Sequence, residues 1–143
     1  MFVSAEMLAS VTQARNNMRR FVDEVVHEKP AVLVQRGRSE SFWAVAASQF
    51  MQLLSAYRFT MEYEVGDDGR YYGSIKQIPD IIGEGDTLED LRRDLAQYLI
   101  EYSLGYADEW KLFSNAPNRR EHYPYVMHVL TKKSVEDVMA LIE

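Results

Sequence analysis

Helical and strand-like hydrophobic patterns alternate along this chain and predict an α+β protein in two modules. The first is β-α-β-β-α over residues 1–55, and the second is β-β-β-α-β over residues 56–143. Three observations carry this reading. Between two short apolar runs, Ala14, Met18, Phe21, Val22, Val25 and Val26 recur at helical steps. At Ala56-Tyr57 the pattern changes to period two, marking the module boundary. Farther on, Leu88, Leu91, Leu95, Tyr98, Leu99, Tyr102 and Tyr106 form one long helical stripe that predicts a helix laid over a sheet.

The elements follow in order. Met7 to Val11 predicts a short strand, and Thr12 is the expected N-cap of a helix or kinked helix pair ending before Pro30. Ala31 to Gln35 reads as a buried strand, Arg36-Gly37-Arg38-Ser39 as a turn, and Phe42 to Ala46 as the hairpin partner. Ser48 is expected to cap a short helix over Gln49 to Leu54. Tyr57, Phe59, Met61, Tyr63 and Val65 alternate with Arg58, Thr60, Glu62 and Glu64, as a strand with one buried face does. Gly66-Asp67-Asp68-Gly69 predicts a hairpin turn and Arg70 to Ile78 the returning strand, ended by Pro79. An extended piece around Ile81-Ile82 leads to Thr87, which with Asp90 resembles a capping box. Ser114 to Asn118 is expected to be a loop, Tyr125 to Leu130 a last strand and Ser134 to Ile142 a last helix.

Composition narrows the function classes. With no cysteine, disulfides, thiolate metal sites and cysteine nucleophiles are excluded together, and the expected compartment is a reducing cytoplasm. No run approaches the roughly 20 apolar residues of a membrane span, and the start lacks the basic and apolar regions of a signal peptide, so no membrane partner is expected. The net charge of −6 is unevenly spread. Residues 1–55 carry six basic and five acidic side chains, residues 56–143 ten and seventeen. Any nucleic-acid contact therefore belongs to the N-terminal module.

The candidate contacts are Arg15 and Arg19 on the first helix and Arg36 and Arg38 at the hairpin turn, where guanidinium groups can reach phosphates or guanine edges. The plainer reading of each is a solvated face, and Arg19 can instead pair with Asp23 one turn on. Asp80, Glu84, Asp86, Glu89 and Asp90 crowd one stretch, as magnesium-binding carboxylates of a nuclease would. Their positions at a turn and a helix start explain them more simply, because negative charge is favoured at a helix N-terminus. His27, His122 and His128 are too scattered for a metal motif, so neither a metal nor another cofactor is expected. The tyrosines fall mostly on core faces by periodicity, with Tyr71 or Tyr72 left as an outward anchor for a partner.

The run Thr12-Gln13-Ala14-Arg15-Asn16-Asn17-Met18, followed by Pro30-Ala31-Val32-Leu33-Val34-Gln35-Arg36, resembles the Phd/YefM antitoxin family over about residues 6–54. The resemblance implies a dimerising domain whose DNA contacts fall on Arg15 and Arg36. Gly69-Arg70-Tyr71-Tyr72, Ile78-Pro79-Asp80 and Gly85-Asp86-Thr87-Leu88-Glu89-Asp90-Leu91 resemble the HicB antitoxin family over residues 57–106. That family has a partial RNase H-like fold, and the Phd-like module stands here in place of its usual DNA-binding module.

Together the resemblances imply a non-enzymatic antitoxin of a type II toxin–antitoxin system. Residues 1–55 would bind operator DNA as a homodimer or higher oligomer, and residues 56–143 would bind the cognate toxin. A HicA-like RNA-cleaving toxin is favoured, with Doc-like or RelE-like toxins as alternatives. The contrasting expectations are a ligand-sensing transcription regulator without a toxin and a nuclease on the RNase H-like scaffold. The toxin-binding residues themselves are not legible.

Overall fold

Ser10 starts the first helix. Its Oγ accepts from the Gln13 amide at 3.0 Å, and Gln13 Oε1 accepts from the Ser10 amide at 2.8 Å. This reciprocal box satisfies two amides that a helix start otherwise leaves open. The expected cap at Thr12 is thus corrected to Ser10: Arg15, three residues after Thr12, has no acceptor to return, whereas Gln13 does. Helix α1 (Val11–Asn16) breaks at Asn17, whose backbone leaves the helical region at φ −144° and ψ 75°. Asn17 Oδ1 accepts from the Arg20 amide at 3.1 Å and begins α2 (Met18–Asp23). A π-helical turn, Glu24–Glu28, completes the kinked pair before Pro30.

The computed structural model describes residues 1–143 and divides into two units, Met1–Leu53 and Leu54–Glu143. It is a mixed α+β protein with two three-stranded sheets and seven helices. In the first unit, β1 (Leu8–Ser10) lies parallel to β2 (Val32–Arg36), which pairs antiparallel with β3 (Glu40–Ala44). Arg36 lies opposite Glu40. The connecting turn is Gly37-Arg38-Ser39, with Gly37 at φ 63°, where a side chain would be strained. Helix α3 (Ala47–Leu54) follows. Val25, Val32 and Val34 form the core cluster, with Ala9, Val11, Phe21 and Ala44 packed against it.

The single apolar stripe expected on the first helix is corrected here. Ala14 and Val25 are buried, but Met18, Val22 and Val26 are about half exposed, at 52%, 48% and 48%. The break at Asn17 resets the helical phase, and these three residues, spaced four apart, line up on a face turned to solvent.

In the second unit, β4 (Met61–Val65), β5 (Tyr71–Ile75) and β6 (Ile78–Gly85) form an antiparallel sheet in that order. The returning strand is shorter than expected and the sheet gains a third strand directly. Lys76-Gln77 turns the chain, and Pro79 lies inside β6 instead of ending a strand. Proline is tolerated there because β6 is an edge strand and the register slips between Ile78 and Ile82, so its missing N–H breaks no ladder. The region from Tyr57 to Phe59 does not join the sheet, whereas the Thr60 carbonyl still accepts from the Lys76 amide at 2.9 Å. Phe59 instead bridges to Ile142, its amide donating to Leu141 O at 2.8 Å and its carbonyl accepting from the Glu143 amide at 2.9 Å.

Helix α4 (Leu88–Asp108) covers the sheet. Thr87 Oγ1 accepts from the Asp90 amide at 3.0 Å and caps it. Its approach is close at the glycines of β6: a Cβ on Gly85 would lie 2.5 Å from the Leu91 amide nitrogen. Leu91, Leu95, Ala96 and Leu99 enter the core with Phe59, Ile75, Ile78 and Ile81, while Tyr98, expected on the same stripe, is 44% exposed. Helices α5 (Trp110–Phe113), α6 (Tyr123–Leu130) and α7 (Val135–Met139) complete the unit.

The expected final strand, Tyr125 to Leu130, is the helix α6. Pro124 occupies its first turn, where the absent N–H is not needed. Val126 and Val129, three residues apart, are buried, with Val129 in the core that α4 also enters. An unbroken apolar run carries no period of its own, so neighbours decide its conformation. The second unit is therefore β-β-β-α followed by helices, not β-β-β-α-β. No helix is long and apolar enough to cross a membrane.

Candidate functional site

In the first unit, the Asn17 break and the β2–β3 hairpin position the candidate arginines. Burial of Ala14 turns the neighbouring Arg15 outward at the end of α1, and Arg36 ends β2. Both line one surface concavity of about 550 Å3, together with Val11, Ala14, Met18, Phe21, Val34, Glu40, Ser41 and Phe42. Arg36 is paired: its Nη2 and Nε lie 2.7 and 2.9 Å from Glu40 Oε1. Both side chains are well exposed, so water and salt screen the pair and it contributes little.

Arg19 is exposed on α2 and Arg38 on the hairpin turn, and neither lines the concavity. Arg19 does not pair with Asp23. The helical pair on α2 is instead Arg20 to Glu24 at 3.1 Å. The structure thus brings together Arg15 and Arg36 but not all four arginines. What the sequence did not reveal is the apolar surface beside them. Met18, Val22, Val26, Phe42 and Trp43 are all 48–56% exposed. Met18 and Phe42 line the same concavity as the two arginines, while Trp43, the next residue of β3, faces the other side of its sheet.

In the second unit, four of the five crowded carboxylates, all but Asp90, engage arginines. Asp80 takes Arg119 Nη2 at 2.8 Å, Asp86 and Glu84 share Arg70, and Glu89 lies 3.4 Å from Arg92. No three His, Asp or Glu side chains converge as metal ligands. His122 Nδ1 lies 2.6 Å from the Tyr102 hydroxyl. Burial, then the nearby Arg119 guanidinium, pushes its pKa below the ordinary 6.5. His128 is buried, with Nδ1 2.7 Å from the Tyr57 carbonyl oxygen.

The two tyrosines of β5 part company. Tyr71 packs toward the core, while Tyr72 points to the other face and donates its hydroxyl to Asp68 Oδ2 at 2.6 Å. That bond and the Arg70 amide hold the Asp68 carboxyl below its usual range. On the Tyr72 face, cross-strand partners form two rows, Glu64–Tyr72–Glu84 and Glu62–Ser74–Ile82. Glu62, Glu64, Ile82 and Glu84 are exposed, and neither Glu62 nor Glu64 has an ion-pair partner.

The first unit thus presents an apolar concavity with two arginines, and the second an acidic sheet face. A family model described as PHD-like, antitoxin of toxin–antitoxin, RelE/RelB, TA system, matches residues 6–143, and the chain belongs to this antitoxin family. It is also similar to the crystal structure of an antitoxin part of a proposed toxin/antitoxin system from Syntrophomonas wolfei subsp. wolfei. The two share 31% identity over 95% of this chain and 96% of that one, with a TM-score of 0.88. No curated protein matches the chain.

Proposed function

We propose that this antitoxin neutralises its toxin by binding, without chemistry of its own, and represses its operon as a dimer on operator DNA. The observation that carries the DNA reading is the convergence of Arg15 and Arg36 at one apolar concavity. A second copy covering Met18, Val22 and Phe42 would place two such arginine pairs on one dimer, matching two operator half-sites. Arg19 and Arg38, exposed and without ion pairs, serve as outlying phosphate contacts.

The strand and helix order of residues 1–53 supports a Phd/YefM-like reading of the first unit. The sheet β4-β5-β6 with α4 supports a HicB-like reading of the second, although the fourth strand of that fold is replaced by α6. The toxin would dock on the second unit. The RelE/RelB pair in the family description supports a RelE-like toxin ahead of the HicA-like or Doc-like alternatives.

Two measurements test the reading. The full chain should retard DNA from its own promoter, and Arg15→Ala with Arg36→Ala should abolish the shift. The product of the adjoining reading frame should co-purify with the chain and lose its toxicity when both are expressed. Intact promoter binding by the double variant, or a neighbouring product that neither binds nor is silenced, overturns the corresponding half.

A further inference from the structure

We infer that the open face of the β4-β5-β6 sheet, centred on Tyr72, is the anchor patch for a cationic surface of the toxin. The inference rests on the toxin-binding reading above and adds where the toxin sits and by what chemistry it is held. Side chains of cross-strand partners share a face, so Glu64, Tyr72 and Glu84 stand in one row and Glu62, Ser74 and Ile82 in the next. Pro79 joins them in lining a shallow concavity. Helix α4 packs on the opposite face, where a Cβ on Gly73 would meet Leu91 Cδ2 at 3.0 Å.

Charge selects the occupant. Glu62 and Glu64 form no ion pair, with Lys76 standing in the next row beyond Ser74, and Glu84 shares Arg70 with Asp86. A second copy laid on the same patch would set carboxylates against carboxylates, and phosphate backbones would be repelled. A protein surface bearing Lys or Arg supplies the missing charges. Tyr72 supplies a centre of the kind that dominates interfaces, an aromatic ring between charged neighbours with Ile82 exposed in the adjacent row. Its hydroxyl is already held by Asp68, so little side-chain freedom remains to be lost on docking. The two rows hold six residues over three strands, roughly 150 Å2 from sheet spacings. A stable interface covers about 800 Å2 per partner, so this face forms the centre of a larger footprint.

The test titrates the full chain with the purified product of the adjoining reading frame at several salt concentrations. The Glu62→Gln/Glu64→Gln/Glu84→Gln variant keeps side-chain shape and removes charge. Its affinity should fall at least tenfold, with a flatter salt dependence. Tyr72→Ala should lose at least tenfold at every salt concentration, while Glu101→Gln, on exposed α4 surface, should leave binding unchanged. Circular dichroism melts confirm that each variant is folded. If the parent chain does not bind the neighbouring product, the toxin reading fails and this inference falls with it. If the parent binds and the triple variant binds within twofold at the same salt slope, the reading stands and the assigned face is wrong. A triple variant that changes the oligomeric state of the chain alone would mark the face as a self-contact and also overturn the inference.

Discussion

Residues 1–53 gather Val25, Val32 and Val34 into their core cluster, whereas residues 54–143 gather thirteen buried side chains, from Phe59 to Ile142. The first unit leaves Met18, Val22, Val26, Phe42 and Trp43 about half exposed. The second covers one sheet face with α4 and leaves charge on the other. A segment of about 50–60 residues buries too small a share of its surface to be more than marginally stable unless another chain adds burial. Under the dimer proposed above, the first unit would be completed by association, whereas the second gathers thirteen buried side chains on its own contacts and keeps a polar face free.

The largest expected effect breaks the second unit from within. Leu95, on the inner face of α4, is fully buried, so Leu95→Ala should cost about 2–5 kcal/mol, the lost transfer energy plus the cavity. Urea unfolding of residues 54–143 measures it. The same fragment should unfold cooperatively at a midpoint independent of concentration, whereas the full chain's first unit should melt higher as concentration rises. A concentration-independent first unit would erase the contrast between the two.

The exposed stripe of α2 sharpens the comparison further. Val22→Asp puts a charge where the lone unit meets water, so its effect on a monomer should be within about 0.5 kcal/mol. On a dimer that buries this stripe, an unpaired carboxylate should shift sedimentation to the monomer at micromolar concentration. An unchanged sedimentation profile would show the stripe to be ordinary surface.

DNA binding should respond at the first unit alone. Arg15→Ala should cost about 1–3 kcal/mol if Arg15 reads a base, or lower the salt slope of log K by about one if it touches phosphate. Arg36→Ala should have a smaller effect, because Glu40 already competes for that guanidinium. Gel shifts over a salt series separate these outcomes, and a larger loss at Arg36 would reverse the assignment.

Legibility followed the same division. The second unit's strand β4, its glycine turn and its Thr87-capped helix were readable because each has a local chemical signal, although Tyr63 and Val65, expected on a buried face of β4, are 49% and 58% exposed. Helix α6 was not, since Tyr125 to Leu130 is apolar throughout and only packing near α4 chooses its conformation. In the first unit the arginines could be named but not grouped. Whether Arg15 meets Arg36 depends on the Asn17 break and the three-residue hairpin turn, which spacing alone does not fix. The acidic rows of the second sheet were hidden because they arise from cross-strand register, between residues as far apart as Glu64 and Glu84.

The smallest effect concerns pH and should appear only in the second unit. His122 lies against Tyr102, with Arg119 near both and Asp80 bound to that guanidinium. Burial first, and Arg119 second, depress its pKa below 6.5, outweighing the opposite pull of Asp80 and Glu121. A depressed folded pKa means the unfolded chain binds the proton more readily. The stabilisation is therefore present above about pH 6.5 and is lost as pH falls through the lower folded value. Asp68 and Glu136, also held below their ordinary 3.8 and 4.5, lose their contributions only in more acid solution. The window from pH 7 to about 5.5 thus isolates the histidine, whose pKa sits nearest neutrality. Urea midpoints of residues 54–143 should fall modestly across it, and His122→Asn should flatten the fall. Equal pH slopes for parent and variant would mean that the Tyr102 contact carries no proton-linked stability.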